Sequence, residues 1–438
     1  MKNEIVKPSI LPGFMELLPA DQIQFNKLAD TIRETYESFG FMPIDTPVIE
    51  KSEILLAKGG GETEKQIYRF LKGSNDLSLR FDLTVPLARY VAQNFSSLTF
   101  PFRRYQIGKV YRGERNQKGR FREFYQCDID IVGSNSLSIL NDAEIPSIIY
   151  SIFNNLGFKN FTIKINNRKL LNGFFESLEI QDKSEVLKTI DKIDKIGVTT
   201  ATEELLNSGL SKEVVEKILE FINISGSNDD ILLLLKNLNI SNSNFKDGVC
   251  ELSTVTKYIK LFGVPDDNFK IDLKISRGLD YYTGTVYETF LNEYPSIGSV
   301  CSGGRYDDLA GYYTKQKLPG VGISIGLTRL FYQLNEVGFF KNSTTSSITK
   351  ALVIPLDNNI DYGISLANAL RDKGVITEIY LEDTKLVKKL GYANKLNIPF
   401  VLLIGETEAQ NKTVTIKNML TGEQITSDFD GAHKIVNI

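Results

Sequence analysis

Near the start of the chain, Phe25, Leu28, Ile32, Tyr36 and Phe39 recur at helical spacing, so a segment from about Asp21 to Phe39 reads as an amphipathic helix with Gly40 as its stop. The following FMPIDTPVIE reads as a strand, and Pro47 within it belongs at a sheet edge or chain boundary. Between Phe102 and Val132 the pattern is a strand (Phe102 to Arg112), a loop (Gly113 to Gly119) and a second strand (Arg120 to Val132), a hairpin with a long tip. From about Asn166 to Cys250 the character changes to amphipathic helices. Asp182 and Glu185 form a capping-box pattern ahead of Val186, Leu187, Ile190 and Ile193, and Val214, Val215, Ile218, Leu219 and Ile222 repeat the spacing. NSTTSSITK (Asn342 to Lys350) is a polar linker. Beyond it ALVIPL, a helix around Ile364 to Asp372 stopped by Gly374, VITEIYL, a helix around Thr384 to Asn397, and FVLLIG alternate as a small α/β domain.

Composition narrows the class. A chain of 438 residues with 42% apolar residues holds two or three domains with buried cores. No apolar run approaches a membrane span, and MKNEIVKPSILPGF has neither the apolar stretch of a signal peptide nor an Arg-rich transit character, so the cytoplasm is expected. Cys127, Cys250 and Cys301 are widely separated without CxxC spacing and read as free thiols, not a disulfide or zinc site. A net charge of −3 excludes a globally basic nucleic-acid binder, leaving only local patches for such contacts. His433 is the single histidine, so chemistry in residues 1–432 must run on arginines, carboxylates, tyrosines and backbone groups.

Against that slightly acidic background, the hairpin is a local exception. From Arg103 to Arg122 it carries eight Lys or Arg residues and one acid, Glu114. Arg112, Arg120 and Arg122 near the strand ends suit a polyphosphate, which a guanidinium fork can hold bidentately, and Phe121, Phe124 and Tyr125 offer faces for a base. The plainer alternative is a solvated, exposed charge cluster.

LRFDLTVPLARY (Leu79 to Tyr90), ISRGLDYYTGTVYE (Ile275 to Glu288), CSGGRYDDL (Cys301 to Leu309) and GVGISIGLTRL (Gly320 to Leu330) complete a pattern. The basic hairpin resembles the second signature motif of class II aminoacyl-tRNA synthetases. With these four segments, in order and over nearly the whole chain, the sequence resembles the histidyl-tRNA synthetase family. The resemblance implies an α/β (α+β) fold: a class II antiparallel-sheet catalytic domain over 1–340, interrupted by a helical insertion at 166–250, then a linker at 341–349 and an anticodon-binding domain at 350–438. It implies activation of L-histidine by ATP with Mg²⁺ held mainly through ATP oxygens, no structural metal, transfer to tRNA(His), and a homodimer formed through the segment around Pro47. Gly59, Gly60 and Gly61, with no GK[ST] following, then read as a lid over the amino-acid pocket. The insertion is expected to close over the tRNA acceptor arm. The alternative is a non-catalytic paralogue, the histidine-sensing regulatory subunit of ATP phosphoribosyltransferase; such paralogues generally lack the anticodon-type domain and degrade the ATP-binding arginines.

Carried over position by position, the resemblance implies that Arg112 and Arg277 are catalytic cations at the α-phosphate. Glu114 and Phe124 would hold adenine, Arg120 would steer pyrophosphate, and Arg329, at the start of a helix, would hold the terminal phosphates. Asp82, Thr84 and Gln126 match the positions that take the histidine ammonium. Asp130 and Tyr282 match those that pair both imidazole nitrogens, and Tyr281, Tyr306, Gly303 and Gly304 complete the pocket. Many bacterial members carry glutamate at the positions of Asp82 and Asp130, so here a water bridge or a closer backbone is expected. Gly322-Ile-Ser324-Ile-Gly326 also satisfies the GxSxG nucleophile elbow, with His433 in hydrolase chain order, a rival reading that leaves the other motifs without a role.

Overall fold

In the computed structural model, which describes residues 5–57, 62–114, 119–276, 281–341 and 346–437, the first apolar stripe forms α1 (Pro19–Ser38). Phe25, Leu28, Ile32 and Tyr36 are buried along it, and Gly40 follows at a φ of 76°. The expected strand after it is broken. β1 (Met42–Pro43) runs parallel to the main sheet and β2 (Ile49–Lys51) joins a different, three-stranded sheet, so the chain changes sheets across Pro47. Arg80 bridges the gap, its buried guanidinium donating to the Thr46 carbonyl and, through Nε, to the Lys109 carbonyl at 2.7 Å. Two short helices follow, α2 (Ser52–Leu55) and α3 (Glu62–Gln66). The small sheet is completed by β3 (Arg69–Lys72) and β4 (Asn75–Leu79), and α4 (Thr84–Asn94) leads to the hairpin.

The hairpin strands are β5 (Phe102–Tyr111) and β6 (Glu123–Val132), antiparallel in register from Phe102↔Val132 to Tyr111↔Glu123. The second strand thus begins three residues after Arg120, because Arg120 to Arg122 belong to the tip. After α5 (Leu140–Asn155) and β7 (Phe161–Asn167) a helical run occupies Arg168 to Leu261: α6 (Arg168–Ser177), α7 (Lys183–Asn207), α8 (Lys212–Ile222), α9 (Asn228–Asn237) and α10 (Ser243–Leu261). Side-chain caps start each of them. Asp182 accepts from the Ser184 and Glu185 amides, Ser211 from Val214, and Ser227 with Asp230 makes a full capping box. Gly173 and Gly248 let α6 and α10 touch backbone to backbone, since a Cβ on either would collide with the other helix's main chain.

The chain then returns to the main sheet through β8 (Phe269–Ile271), β9 (Thr285–Leu291), β10 (Ser299–Tyr306) and β11 (Gly320–Gly326), and ends this unit with α11 (Leu327–Glu336). The sheet order is β1-β5-β6-β11-β10-β9-β7-β8. Its central pairings are antiparallel and only the β1–β5 and β7–β8 edges are parallel. The chain divides into two compact units, Met1–Met15 with Leu28–Gly338 and Glu16–Lys27 with Phe339–Ile438. The second has a five-stranded sheet containing β12 (Ala351–Pro355), β13 (Thr377–Ile379), β14 (Phe400–Ile404), β15 (Val414–Asn418) and β16 (Gln424–Ser427) in the order β13-β12-β14-β15-β16. Its helices are α12 (Ile360–Asp372), α13 (Leu386–Lys395), α14 (Glu406–Asn411) and α15 (Phe429–Val436). The antiparallel β15–β16 ribbon was not legible in the sequence: VTIKN and QITS are short and half-exposed, with little apolar contrast.

On the core face of the main sheet, Arg305 of β10 is the key polar residue. Its guanidinium forms an ion pair with the fully buried Asp142 of α5 at 2.6 Å and donates to the Leu137 and Ser138 carbonyls, while Tyr287 donates to the Asp142 carbonyl at 2.7 Å. Removing one partner strands a buried charge. Asp142→Ala is expected to cost about 3–5 kcal/mol, read as a lower urea midpoint for this unit's transition; a midpoint within error of the parent's would show that Arg305 is otherwise satisfied.

Candidate active site

The alternation of β6 places Phe124, Gln126, Asp128 and Asp130 on one face of the sheet while Cys127, Ile129 and Ile131 are buried on the other. Directly across on β11, Gly326, Ser324 and Gly322 pair with Gln126, Asp128 and Asp130. These small residues leave room above the sheet for a cavity of about 470 Å³, whose wall continues through Ser302 and Tyr306 of β10 and Glu288 of β9. Gly322 is required where it is. A Cβ there would strike both the Ile129 carbonyl and the Asp130 carboxylate.

At the deep end of the cavity the groups are acidic and phenolic. Asp130 accepts from the Tyr306 hydroxyl at 2.8 Å and makes a close ion pair with Arg104, which stands directly opposite it on β5 and is fully buried. Burial pushes the Asp128 carboxyl up to about 7 and that of Asp130 up to about 6, with Arg104 pulling both back. Asp82 lies beside them, its Oδ1 accepting from the Thr84 and Val85 amides at 3.1 and 2.9 Å. Tyr281 stands edge-on to Tyr282 and to Tyr306, with centroids 4.8 and 6.0 Å away.

Toward the hairpin tip the lining turns cationic and aromatic. Arg112 donates from Nε to the Phe81 carbonyl at 3.2 Å, and its guanidinium lies 4.4 Å from the Phe81 centroid and 5.1 Å from that of Phe124. Arg120 meets Glu114 at 3.4 Å. Arg329, in the first turn of α11, donates to the Ile297 carbonyl at 2.9 Å. The cavity is therefore bipolar, with carboxylates at one end and guanidinium groups at the other.

Asp82, Thr84, Arg112, Glu114, Arg120, Phe124, Gln126, Asp130, Tyr281, Tyr282, Tyr306 and Arg329 all line this one cavity, as does Gly303. Arg277 and the Gly59 to Gly61 lid lie outside the described residues. The reading of the hairpin as a phosphate-binding charge cluster needs correction. Arg103 pairs bidentately with Glu144 at 2.9 Å, Arg104 is in the core, Lys109 pairs with Glu123 at 2.8 Å, and Arg122 donates to the Glu114 carbonyl at 3.1 Å. Of the described cations in that segment, Arg112 and Arg120 line the cavity. Tyr125 is not among the residues that line the cavity, and the Lys109 ammonium sits 5.6 Å from its ring centroid. Gly304 acts by its smallness, for a Cβ would press on the Thr285 carbonyl and the Tyr282 ring. The residues that the motifs did not announce are Arg104, Asp128, Glu288, Ser302 and Ser324. Period-two counting from Gln126 to Asp130 would have found Asp128.

The nucleophile-elbow reading of Gly322 to Gly326 fails. Ser324 is in mid-strand, paired to Ser302 and Asp128 on either side, and its Oγ accepts from Gln126 Nε2 at 2.6 Å. Among the described residues no group of three or more Asp, Glu, Cys or His is placed to hold a metal ion, and Cys127, Cys250 and Cys301 are free thiols.

The sequence matches the histidyl-tRNA synthetase family model over residues 13–330 and the anticodon-binding domain model over residues 350–437. The chain belongs to the histidyl-tRNA synthetase family. It is 65% identical over 100% of its length, and 99% of the relative's, to a histidine–tRNA ligase of Clostridium tetani (strain Massachusetts / E88). A histidine–tRNA ligase of Clostridium acetobutylicum is 53% identical over 96% of this chain and 98% of its own. The crystal structure of histidyl-tRNA synthetase from Nostoc sp. PCC 7120, 42% identical, superposes with a TM-score of 0.91 over 99% of this chain and 100% of that one. The class II catalytic sheet and the separate anticodon-binding unit of this synthetase family are thus both present.

The raised carboxyls set a pH signature. A buried Asp whose folded value lies above its unfolded value of about 4 binds protons more readily when folded, so its ionisation cost is absent below about pH 4 and complete above the folded value. For Asp128 and Asp130 the ligand-free protein therefore loses stability as pH rises from about 4 to about 7. Chemical denaturation of the parent and Asp128→Asn at pH 5 and pH 8 should show the parent losing ground to the variant at pH 8; a pH-independent difference would mean that Asp128 ionises normally.

Proposed function

We propose that the chain is a histidine–tRNA ligase, which joins the carboxylate of L-histidine to the α-phosphate of ATP, releases pyrophosphate, and transfers the histidyl group to the 3′-terminal adenosine of tRNA(His). The bipolar cavity carries this reading. Histidine needs acceptors for its ammonium and imidazole and ATP needs cations for its phosphates, and the two ends of the cavity offer these in adjoining positions. The regulatory-subunit alternative is not favoured: full-length relatives are histidine–tRNA ligases, the anticodon-type domain is present, and Arg112 and Arg329 stand in the cavity.

In this reading Asp82, Thr84 and Gln126 take the ammonium, while Asp130 and Tyr282 hold the imidazole beside Tyr281 and Tyr306. The carboxylate then faces Arg112. Phe124 stacks on adenine, Glu114 accepts from its exocyclic amine, Arg120 steers the pyrophosphate, and Arg329 holds the terminal phosphates of ATP, taken up as its Mg²⁺ complex. As the carboxylate attacks, negative charge grows on the α-phosphate, and Arg112 and Arg277 offset it by preorganised charge that needs no reorganisation. The position of Asp130 under Gly322 supports a direct contact without a bridging water, since the glycine lets the two strands' groups approach.

We assign residues 1–340 to the catalytic domain, 166–250 to an insertion that closes on the acceptor arm, 341–349 to a linker and 350–438 to anticodon binding. Exposed Met42, Val48 and Ile49 beside Pro47 support a homodimer through that segment. Among the described residues no helix is long and apolar enough to cross a membrane. We assign the protein to the cytoplasm on the ground that tRNA charging is its proposed activity.

Histidine-dependent ATP–pyrophosphate exchange tests the activity; its absence would overturn the reading. Arg277→Ala should lower kcat for adenylate formation by about 10²–10³ with little change in the KM for ATP, measured in single turnover; a wild-type rate would remove Arg277 from the mechanism. Tyr282→Phe should raise the KM for histidine by about 5- to 150-fold, the loss of one buried hydrogen bond worth about 1–3 kcal/mol. An unchanged KM in the exchange assay would instead separate Tyr282 from the imidazole.

A further inference from the structure

Ahead of α1 lies a turn whose shape its own residues dictate. Leu11-Pro12-Gly13-Phe14 closes by a hydrogen bond from the Phe14 amide to the Leu11 carbonyl at 3.1 Å. Proline fixes φ at the first central position and Gly13 takes the second at a φ of 87°, the combination of a type II turn. The turn is seated on Arg122 at the hairpin tip. The Arg122 amide donates to the Gly13 carbonyl at 2.7 Å, and its guanidinium donates to the Pro12 carbonyl at 3.4 Å. Gly13 also packs on the Arg122 stem, where an added Cβ would lie 2.9 Å from Cγ. From that seat Arg122 reaches the cationic end of the cavity. Its Nε donates to the Glu114 carbonyl at 3.1 Å, and its own carbonyl accepts from the Arg112 amide at 2.9 Å. The intervening Gly113 is held too, its amide donating to the Gln66 carbonyl at 2.6 Å with no room for a Cβ beside that oxygen. Glu114 and Arg112 line the cavity, and Arg122 is not among its lining residues.

We propose that Arg122 and the Leu11-to-Phe14 turn brace the backbone of Glu114, so that a turn 110 positions ahead of Arg122 in the chain sets how well the site selects adenine by its exocyclic amine. Arg122 is a positioning residue that makes no contact with the nucleotide. A guanidinium has only donors to give, so one side chain can join two main-chain carbonyls, those of Pro12 and Glu114. Its planar fork holds those two points at a set spacing, which a rotatable ammonium would not. The Glu114 carboxylate meets a single exocyclic amine only while its backbone keeps its place beside Phe124, and a misplacement of about 1 Å is costly in such contacts.

This inference rests on the ligase reading, in which Glu114 accepts from adenine, and the experiment separates the two. The probes are ATP and purine riboside 5′-triphosphate, which lacks the exocyclic amine, each with Mg²⁺ and titrated calorimetrically into the full-length protein. Arg122→Met, which keeps an apolar stem and removes the donors, should raise the Kd for ATP about tenfold, within the range for one hydrogen bond to a charged group. Gly13→Ala should act in the same direction, because a side chain there is strained at positive φ and presses on the Arg122 stem. In both variants the Kd of the amine-free analogue should stay within about twofold of the parent's, since it offers Glu114 no donor. The double variant should be no weaker than the worse single variant, as expected for two parts of one brace. Unchanged ATP affinity in Arg122→Met, an equal loss for ATP and the analogue, or additive effects in the double variant would each overturn the brace. Glu114→Ala tests the reading beneath it: that variant should bind ATP and the analogue alike, and a surviving preference for ATP would separate Glu114 from adenine and overturn both.

Discussion

A single buried guanidinium holds the floor of the active site together. Arg104 on β5 has no exposed surface, yet it stands opposite one carboxylate, Asp130, and within the field of a second, Asp128. Two acids at alternate positions of a strand covered on both faces could not stay ionised without a cation beside them, and their raised values show that one cation is only partial compensation. The aromatic lid of Tyr306, donated to Asp130, and the glycines of β11 follow from this arrangement. Gly320 leaves room for the Tyr306 ring, and Gly322 leaves room for the Asp130 carboxylate. The cluster gathers Asp82, Asp128 and Asp130 at one end of the cavity, acceptors that suit a substrate arriving with an ammonium and a ring N–H.

Charge in this protein does different work depending on the face to which strand alternation assigns it. The hairpin from Arg103 to Arg122 looks uniformly basic, but Arg103 and Lys109 pair with Glu144 and Glu123, and Arg122 ties the tip through the Glu114 carbonyl. These contacts occupy those three cations with partners inside the protein. Arg112 and Arg120 are the described cations of the segment that line the cavity, and the proposed chemistry needs cations already in place. The same division appears in the GGRYDDL segment, where consecutive residues serve opposite faces of β10. Tyr306 closes the pocket, whereas Arg305 pins α5 through Asp142 on the other side.

The sequence alone determined the family, the class II fold and most of the cavity wall. Ordered motifs constrain local chemistry strongly, and Asp82, Arg112, Gln126, Asp130, Tyr306 and Arg329 each sit in one. The main helices were also legible, since α1 and α8 carry apolar stripes that only a 3.6-residue period can bury. Local patterns gave less where the partner is distant. Pro47 signalled a boundary, but that the chain changes sheets there depends on which neighbours β1 and β2 meet, namely β5 and β4. Only tertiary structure could say which hairpin cations are free to meet a ligand, because their acids lie elsewhere: Glu144 is on a helix beyond the hairpin. It also decided that Ser324 stands across from Asp128 and meets Gln126, a residue 198 positions earlier in the chain, since strand register is not written in either strand alone.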